Sequence, residues 1–388
     1  MLTPDRMDVQ VLSVAGFALG AIVSLATSWL LVSRLERLGE RLGLTEALLG
    51  VVAALAADAP EITAAISAIS GHQQRLGAGV VLGSNVFNLA ALLGLSAVVA
   101  GQVGLHRKVV ALGGAVAMWV AVVSLLVVTG LLPVFAGLVL ALATLVPYVI
   151  LLGTEGQGIE RLRLPQRWWT WLRSAVTEEE IELEEVIRPG VGRRRDVVVA
   201  AGALVVVVGA SVVMEHAASE IGRRYGLPQI IVGGLVLAAV TSLPNAVAAV
   251  YLARRGRAAA TLSTALNSNT VNVVAGLMVP GVVLGLGQPT FQAGLVTAWY
   301  AALSLAVVAL AYIRRGLGRG VGLAVIAGYL LFAMTVTASG LGLGGWWIAA
   351  PCLLAGLFLV GALLRAPRLH ANVDHKPVQG GRQTDTVA

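Results

Sequence analysis

AADAPEITAAISAISGHQQRLGAGVVLGSNVFN, residues 56–88, sets an aspartate, a proline and a glutamate inside an apolar run and follows it with a second run ending in Ser and Asn. Residues 240–272, VTSLPNAVAAVYLARRGRAAATLSTALNSNTVN, repeat the plan. A shift of 184 residues lays "DAPE" (Asp58 to Glu61) over "SLPN" (Ser242 to Asn245) and "GSNVFN" (83–88) over "NSNTVN" (267–272). Pro60 to Ser84 and Pro244 to Ser268 share one spacing, 24 residues. A whole set of polar residues and prolines recurring at one offset marks a duplication.

Working outward, apolar segments fall at 9–32, 44–70, 76–100, 109–129 and 131–153, and then at 196–217, 227–252, 259–286, 290–313 and 321–339. The shift of 184 superimposes the first five on the second five. An eleventh segment, 345–364, has no counterpart. Each is long enough to cross a hydrocarbon core of about 30 Å. The reading is an all-α polytopic membrane protein with ten core transmembrane helices and an added eleventh. Its expected parts are a first five-helix repeat at 1–153, a cytoplasmic loop at 154–195, a second repeat at 196–339, the extra helix at 340–365 and a disordered polar tail at 366–388.

Composition agrees. Of 388 residues 57% are apolar and 12% charged, against about 25% charged in soluble domains. The net charge of +7 does not point to nucleic acid, because the basic residues sit at the ends of apolar runs without interleaved aromatics. They are topology signals: four of the 27 Lys and Arg residues, Arg6, Arg75, Arg223 and Arg224, fall in one set of alternate loops and the other 23 in the rest. Basic residues gather on the cytoplasmic side, so the N-terminus is expected outside, with the long loop and C-terminus in the cytoplasm. The single cysteine, Cys352, excludes internal disulfides and thiolate clusters. The first run is too long for a cleaved signal and reads as a retained helix. Within the loop, "EEEIELEE" reads as a solvated face of an amphipathic helix, while Trp168, Trp169, Trp346 and Trp347 suit interfacial anchoring. Glu215 and His216, near the outer end of the sixth segment, read as interfacial.

Five is odd, so the second copy enters the membrane from the opposite side. Inverted repeats of this kind place a site near the bilayer midplane. Pro60 and Pro244 each break a helix and free backbone carbonyls, which are tolerated at membrane depth only where protein or a water-filled cavity satisfies them. Around them stand Asp58 and Glu61 in one half and Thr241, Ser242 and Asn245 in the other. The next segments add Ser84, Asn85 and Asn88, matched by Ser268, Asn269 and Asn272. Ionisable groups at this depth cost about 2.5 to 3.5 kcal/mol each on insertion scales, and the oxygen-rich set suits a hard cation such as sodium or calcium. The alternative for any one Ser or Asn is helix-to-helix bonding; the recurrence of the whole set favours a site. No P-loop, nucleophile elbow, dinucleotide fingerprint or His cluster is present, so neither an enzyme nor a cofactor is expected.

These motifs resemble the calcium/cation antiporter superfamily, which includes the sodium/calcium exchangers, over the chain up to about Ser339. The family's small-polar-x-x-Pro-Glu and Gly-Ser-Asn motifs appear as "ADAPE" with "GSN" and as "TSLPN" with "NSN". The resemblance implies ten core helices in two inverted halves and a ligand set of Ala57 (through its backbone), Asp58, Glu61, Ser84, Asn88, Thr241, Ser242, Asn245, Ser268 and Asn272, with Asp58 and Glu61 as the charged metal ligands. Three departures matter. Asn245 stands where the second repeat carries its Glu, Asn272 where sodium/calcium exchangers often carry an acid, and Asp58 replaces a small hydroxyl residue. Both acids therefore come from the first half, and two close carboxylates repel when both are ionised. The expected function is secondary cation antiport, sodium against calcium, with exchange against protons as the alternative and a cation channel as a remoter one. The expected partners are the lipid bilayer and small inorganic cations, and the expected location is a prokaryotic inner membrane. Oligomeric state is not legible in the sequence.

Overall fold

In a bilayer core the backbone has no water to bond, so a chain this apolar must satisfy its N–H and C=O groups within helices. A computed structural model describes residues 4–153, 165–184, 192–254 and 260–365, and nearly all of them are helical. In the first half come α1 (Pro4–Arg41), α2 (Glu46–Ala57), α3 (Ala59–Ser70), and α4 (Gln74–Asn88), which runs through a π-helical turn at Leu89–Leu95 into α5 (Ser96–Ala100). They are followed by α6 (Arg107–Val128) and α7 (Val134–Leu152). A connecting helix, α8 (Gln166–Glu184), packs on α2 and α6. The second half comprises α9 (Arg194–Arg224), α10 (Gln229–Ile231), a π-helical turn at Val232–Leu237, α11 (Ala238–Thr241) and α12 (Leu243–Arg254). It continues with α13 (Ala260–Val271), a π-helical turn at Asn272–Met278, α14 (Val279–Leu284), α15 (Phe291–Arg314) and α16 (Arg319–Gly340), and α17 (Gly345–Arg365) closes the series.

Among the described residues, eight helices are long and apolar enough to cross a membrane, or ten when each of two bent pairs counts as one span. The bent pairs are α2 with α3, at 47°, and the helix Gln229–Thr241 with α12, at 42°. The stretch expected as an eleventh span is helical, as α17. The polar tail at 366–388, and the parts of the loop at 154–164 and 185–191, lie outside the described residues.

Elements recur in step with the sequence repeat. The two bends fall at Asp58 and Ser242, α6 and α15 start at Arg107 and Phe291, and both correspondences honour the offset of 184. Burial sorts the helices by polarity. The span Gln74–Ala100 is 94% buried over its most apolar window and Ala260–Leu284 is 78% buried, whereas Val11–Leu42 is 17% buried. The two helices bearing the Ser-Asn motifs thus form the centre, and α1 and α9 pack on each other at the periphery, with Ser24 Oγ 3.0 Å from Ser211 Oγ. Valines on the outer face of α9, such as Val198 and Val205, are exposed as lipid-facing residues should be.

Two expectations need correction. The all-α reading missed a small antiparallel pair, β1 (Gln102–Gly104) with β2 (Gly316–Gly318), in register Gln102↔Gly318, Val103↔Leu317 and Gly104↔Gly316. Two loops following distant helices meet at one end of the bundle and satisfy each other's backbone groups, a pairing with no local signal. The first helix is also longer than expected: the charged stretch after residue 32 continues α1 to Arg41. Arg34 Nη1 lies 2.8 Å from Asp196 Oδ1, while Asp196 Oδ2 accepts a 2.6 Å hydrogen bond from the Arg193 backbone at the start of α9.

Candidate cation site

The site is built where the two bent helices break. Pro60 sits in the first turn of α3, where its missing N–H costs least, and Asp58 links α2 to α3 with φ −85° and ψ 0°. In the other half Ser242 links α11 to α12 with φ −89° and ψ 3°, and Pro244 lies in the first turn of α12. Both breaks use the same backbone conformation and put a polar side chain at the hinge. Asp58, Glu61 and Ser242 are fully buried, as are Ser84, Asn88 and Asn272.

Side chains from the two halves meet across this centre. Asp58 Oδ1 accepts from Ser268 Oγ at 2.8 Å and from Asn245 Nδ2 at 3.4 Å. Glu61 Oε1 accepts from Ser242 Oγ at 2.8 Å. Position 58 corresponds to 242 and position 61 to 245 under the repeat, so the Asp58–Asn245 and Glu61–Ser242 contacts are the same pairing made twice, with carboxylates on one side and neutral donors on the other. Asn245 Nδ2 also donates to Asn88 Oδ1 at 3.0 Å, and Asn88 Nδ2 donates to Ser268 Oγ at 3.2 Å.

A second set lies between α4 and α13. Asn85 Nδ2 donates to the Asn269 backbone oxygen at 3.0 Å, and Asn269 Nδ2 to the Asn85 backbone oxygen at 3.0 Å. Asn88 Nδ2 reaches Asn269 Oδ1, and Asn272 Nδ2 reaches Asn85 Oδ1, both at 3.3 Å. These four bonds are related by exchange of the halves. Asn85 and Asn269 stand outside the ligand set implied by the resemblance. The signal that could have assigned their role was present, since the same residue at matched positions in both halves is what a self-complementary contact requires.

Ser84 and Thr241 behave differently from the rest. Ser84 Oγ donates to Val81 O at 2.9 Å and Thr241 Oγ1 to Leu237 O at 2.9 Å, both within their own helices. A hydroxyl that donates keeps its lone pairs, so their oxygens stay available as acceptors. Ala57 ends α2, and Ser28 Oγ of α1 donates to the Ala56 and Ala57 carbonyls at 3.3 and 3.4 Å. The carbonyls released at the break are thus partly satisfied by protein.

Three buried oxygens of the network have no hydrogen-bond partner: Asp58 Oδ2, Glu61 Oε2 and Asn272 Oδ1. A buried carboxylate oxygen without a partner is costly, and a hard cation or proton is the chemistry that offsets such a cost. No group of three or more His, Cys, Asp or Glu occurs among the described residues, so any cation here would be held by two carboxylates supplemented with neutral oxygens.

The two sides of this centre are not packed alike. On the side of the α3–α4 turn, a Cβ on Gly83 would lie 2.2 Å from the Gly234 oxygen, one on Gly79 2.9 Å from the Gly234 nitrogen, and one on Gly233 2.2 Å from the Leu76 oxygen. Helix α4 and the π-helical turn at Val232–Leu237 therefore touch backbone to backbone. On the other side, the position matching Gly83 is Asn267, whose Oδ1 accepts from the Tyr148 hydroxyl at 3.1 Å.

The chain matches the family model described as sodium/calcium exchanger protein over residues 12–154 and 196–338, which between them take in both halves. It is 33% identical over 147 residues to sodium/potassium/calcium exchanger 3 of Rattus norvegicus, covering 37% of this chain and 20% of that protein. It is 32% identical over 83 residues to the putative antiporter CaxA of Alkalimonas amylolytica, covering 21% of this chain and 26% of that one. The match to the rat exchanger thus spans about a fifth of that relative's length. Among solved structures, the H+/Ca2+ exchanger CAX aligns with a TM-score of 0.66 at 16% identity over 90% of this chain and 86% of that one. The sodium-calcium exchanger NCX_Mj aligns with a TM-score of 0.52 at 20% identity over 83% and 97%. These likenesses establish a shared fold. The chain is an integral membrane protein and belongs to the sodium/calcium exchanger protein family.

Proposed function

We propose that the protein is a secondary cation antiporter that binds calcium at Asp58 and Glu61 and exchanges it for sodium by alternating access. The observation that carries the reading is the set of three unpartnered buried oxygens, Asp58 Oδ2, Glu61 Oε2 and Asn272 Oδ1. They stand in one network drawn from both halves and have the hard-oxygen character that calcium and sodium prefer. Ser84, Asn88, Thr241, Ser242, Asn245 and Ser268 supply further neutral oxygens, with the Ala57 carbonyl at the edge. The halves at 1–153 and 196–339 act as inverted repeats, α17 is an eleventh span, and 154–195 is a cytoplasmic connection. The N-terminus lies outside and the C-terminus in the cytoplasm of a prokaryotic membrane. The close contact of α4 with the turn at Val232–Leu237 is one gate. Its release, while α2 stays packed on α13, exposes the site to that side.

A second reading, exchange of cation for protons, is favoured by the donor set itself. Asn245 and Asn272 leave only two carboxylates, and one bound proton relieves their repulsion. The two are separated by radiolabelled calcium uptake into proteoliposomes under an outward sodium gradient, an outward proton gradient, or none. Uptake driven by sodium supports the first reading and uptake driven only by protons the second; in either case Glu61→Gln should abolish it. No uptake under any gradient, or full uptake by Glu61→Gln, would overturn the calcium assignment.

A further inference from the structure

Outside this centre, one fully buried acid stands apart. Glu215, which read as interfacial in sequence, is 0% exposed in α9 and faces α3. The interfacial reading fails because position 215 lies on the inward stripe of α9 with Ser211, Met214 and Ala218, whereas its neighbour His216 turns outward with its side chain 66% exposed. Glu215 Oε2 accepts from Ser67 Oγ of α3 at 2.7 Å and lies 2.6 Å from His216 Nδ1. Its other oxygen, Oε1, is buried without a partner.

We propose that Glu215 is a second proton-binding carboxylate, loaded from the surface through His216 and distinct from the Asp58–Glu61 centre. The geometry supports a proton over a metal ion. Calcium takes about six to eight oxygens, whereas Glu215 has beside it, among the described residues, one hydroxyl and one imidazole nitrogen, both at Oε2. A proton needs one oxygen and a route. A proton taken from solution at His216 Nε2 makes the Nδ1–H ring an imidazolium, whose Nδ1 proton then passes across the 2.6 Å contact to Glu215 Oε2, leaving the ring neutral as its Nε2–H tautomer and the buried acid neutral.

Among the described residues, His216 is the charge partner of Glu215. The stretch of α1 beside it carries Gly16 and Gly20 against Val213, Met214 and Ala217, and the turn at Val232–Leu237 is wholly apolar. Glu220, lower on α9, is paired with Arg223 and Arg224. At the end of α3 stand His72 and, opening α4, Arg75, with Gln73 between them accepting from Ser219 Oγ at 2.6 Å. Ser67 and Glu61 share α3, six residues and therefore about 9 Å of helix apart. The proton at Glu215 thus acts on the same helix that carries the cation ligand.

The test is infrared difference spectroscopy of the full-length protein in calcium-free liposomes, stepped from about pH 8 to about pH 5. The protonated-carboxyl band should include a component that persists in the Asp58→Asn/Glu61→Gln variant and is lost when Glu215→Gln is added to that variant. Retention of the band in the doubly substituted variant separates this proposal from the assignment of the cation site. His216→Ala should slow the band's appearance after a pH jump by roughly a hundredfold, and Ser67→Ala should shift its frequency by removing a hydrogen bond. An unaltered spectrum in Glu215→Gln would overturn the proposal. So would displacement of the band by sodium or calcium in the doubly substituted variant, which would make this a cation site. If Glu215→Gln fails to fold, an unchanged rate in His216→Ala together with an unchanged frequency in Ser67→Ala would overturn it equally.

Discussion

Asn85 and Asn269 hold each other's backbone: each side-chain amide donates to the other's main-chain oxygen at 3.0 Å. The two residues are 184 apart, the offset of the sequence repeat. This reciprocal pair fastens α4 to α13 on the line where the halves meet, and the acids and amides of the candidate site are arranged around it.

Truncating either member should destabilise the protein more than a lone hydrogen bond would. Asn85→Ala removes the donor to the Asn269 carbonyl and takes away the Oδ1 that accepts from the buried Asn272 amide, a cost of about 1–3 kcal/mol. The thermal midpoint of the purified protein should fall for Asn85→Ala and for Asn269→Ala. In the double variant the fall should be smaller than the two added together, because the partners act as a unit. Strict additivity would mean that the reciprocal contact is not a unit.

Asp58→Asn should weaken calcium binding at least tenfold, or about 1.4 kcal/mol, since it removes one of two charges while keeping the shape. Acidification should weaken calcium binding in the wild type, because on the proposed assignment protons and calcium would compete for the same two carboxylates. With only Glu61 left, that dependence on pH should be shallower. Equilibrium binding measured across pH on both proteins checks the affinity and the slope.

Asn245→Glu would restore an acid at the position where the second repeat of the family carries one. Asn245 Nδ2 now donates to both Asp58 and Asn88, so a glutamate there would set acceptor against acceptor. The metal-free variant should melt below the wild type and gain more from added calcium, because a third carboxylate is compensated only when a divalent ion is bound. Melting curves with and without calcium would show it; a smaller calcium response than in the wild type would contradict placing Asn245 at the site.

Gly83→Ala tests the gate. A Cβ there would meet the Gly234 oxygen at 2.2 Å, which backbone cannot absorb without moving, and overpacking of this kind costs about 1–3 kcal/mol. Closure on that side should become unfavourable, so a cysteine placed near the site should be labelled faster from that face while calcium exchange slows. Exchange at the wild-type rate would show that the close contact is not required.

Some of this was legible in the sequence and some was not. The apolar runs, the breaks at Pro60 and Pro244 and the offset of 184 are local or periodic features, and they determined the membrane class, the bent helices and which polar residues gather at the two breaks. Burial of Asp58 and Glu61 followed from the same runs. What only the tertiary structure decided was pairing. Ser268 rather than Ser84 binds Asp58, Asn85 and Asn269 clasp each other, β1 meets β2, and Glu215 turns inward while His216 turns outward. Each depends on how one helix is rotated against another. That rotation is set by close packing among small residues such as Gly79, Gly83, Gly233 and Gly234, whose contacts join segments more than a hundred residues apart and leave no periodic trace along the chain.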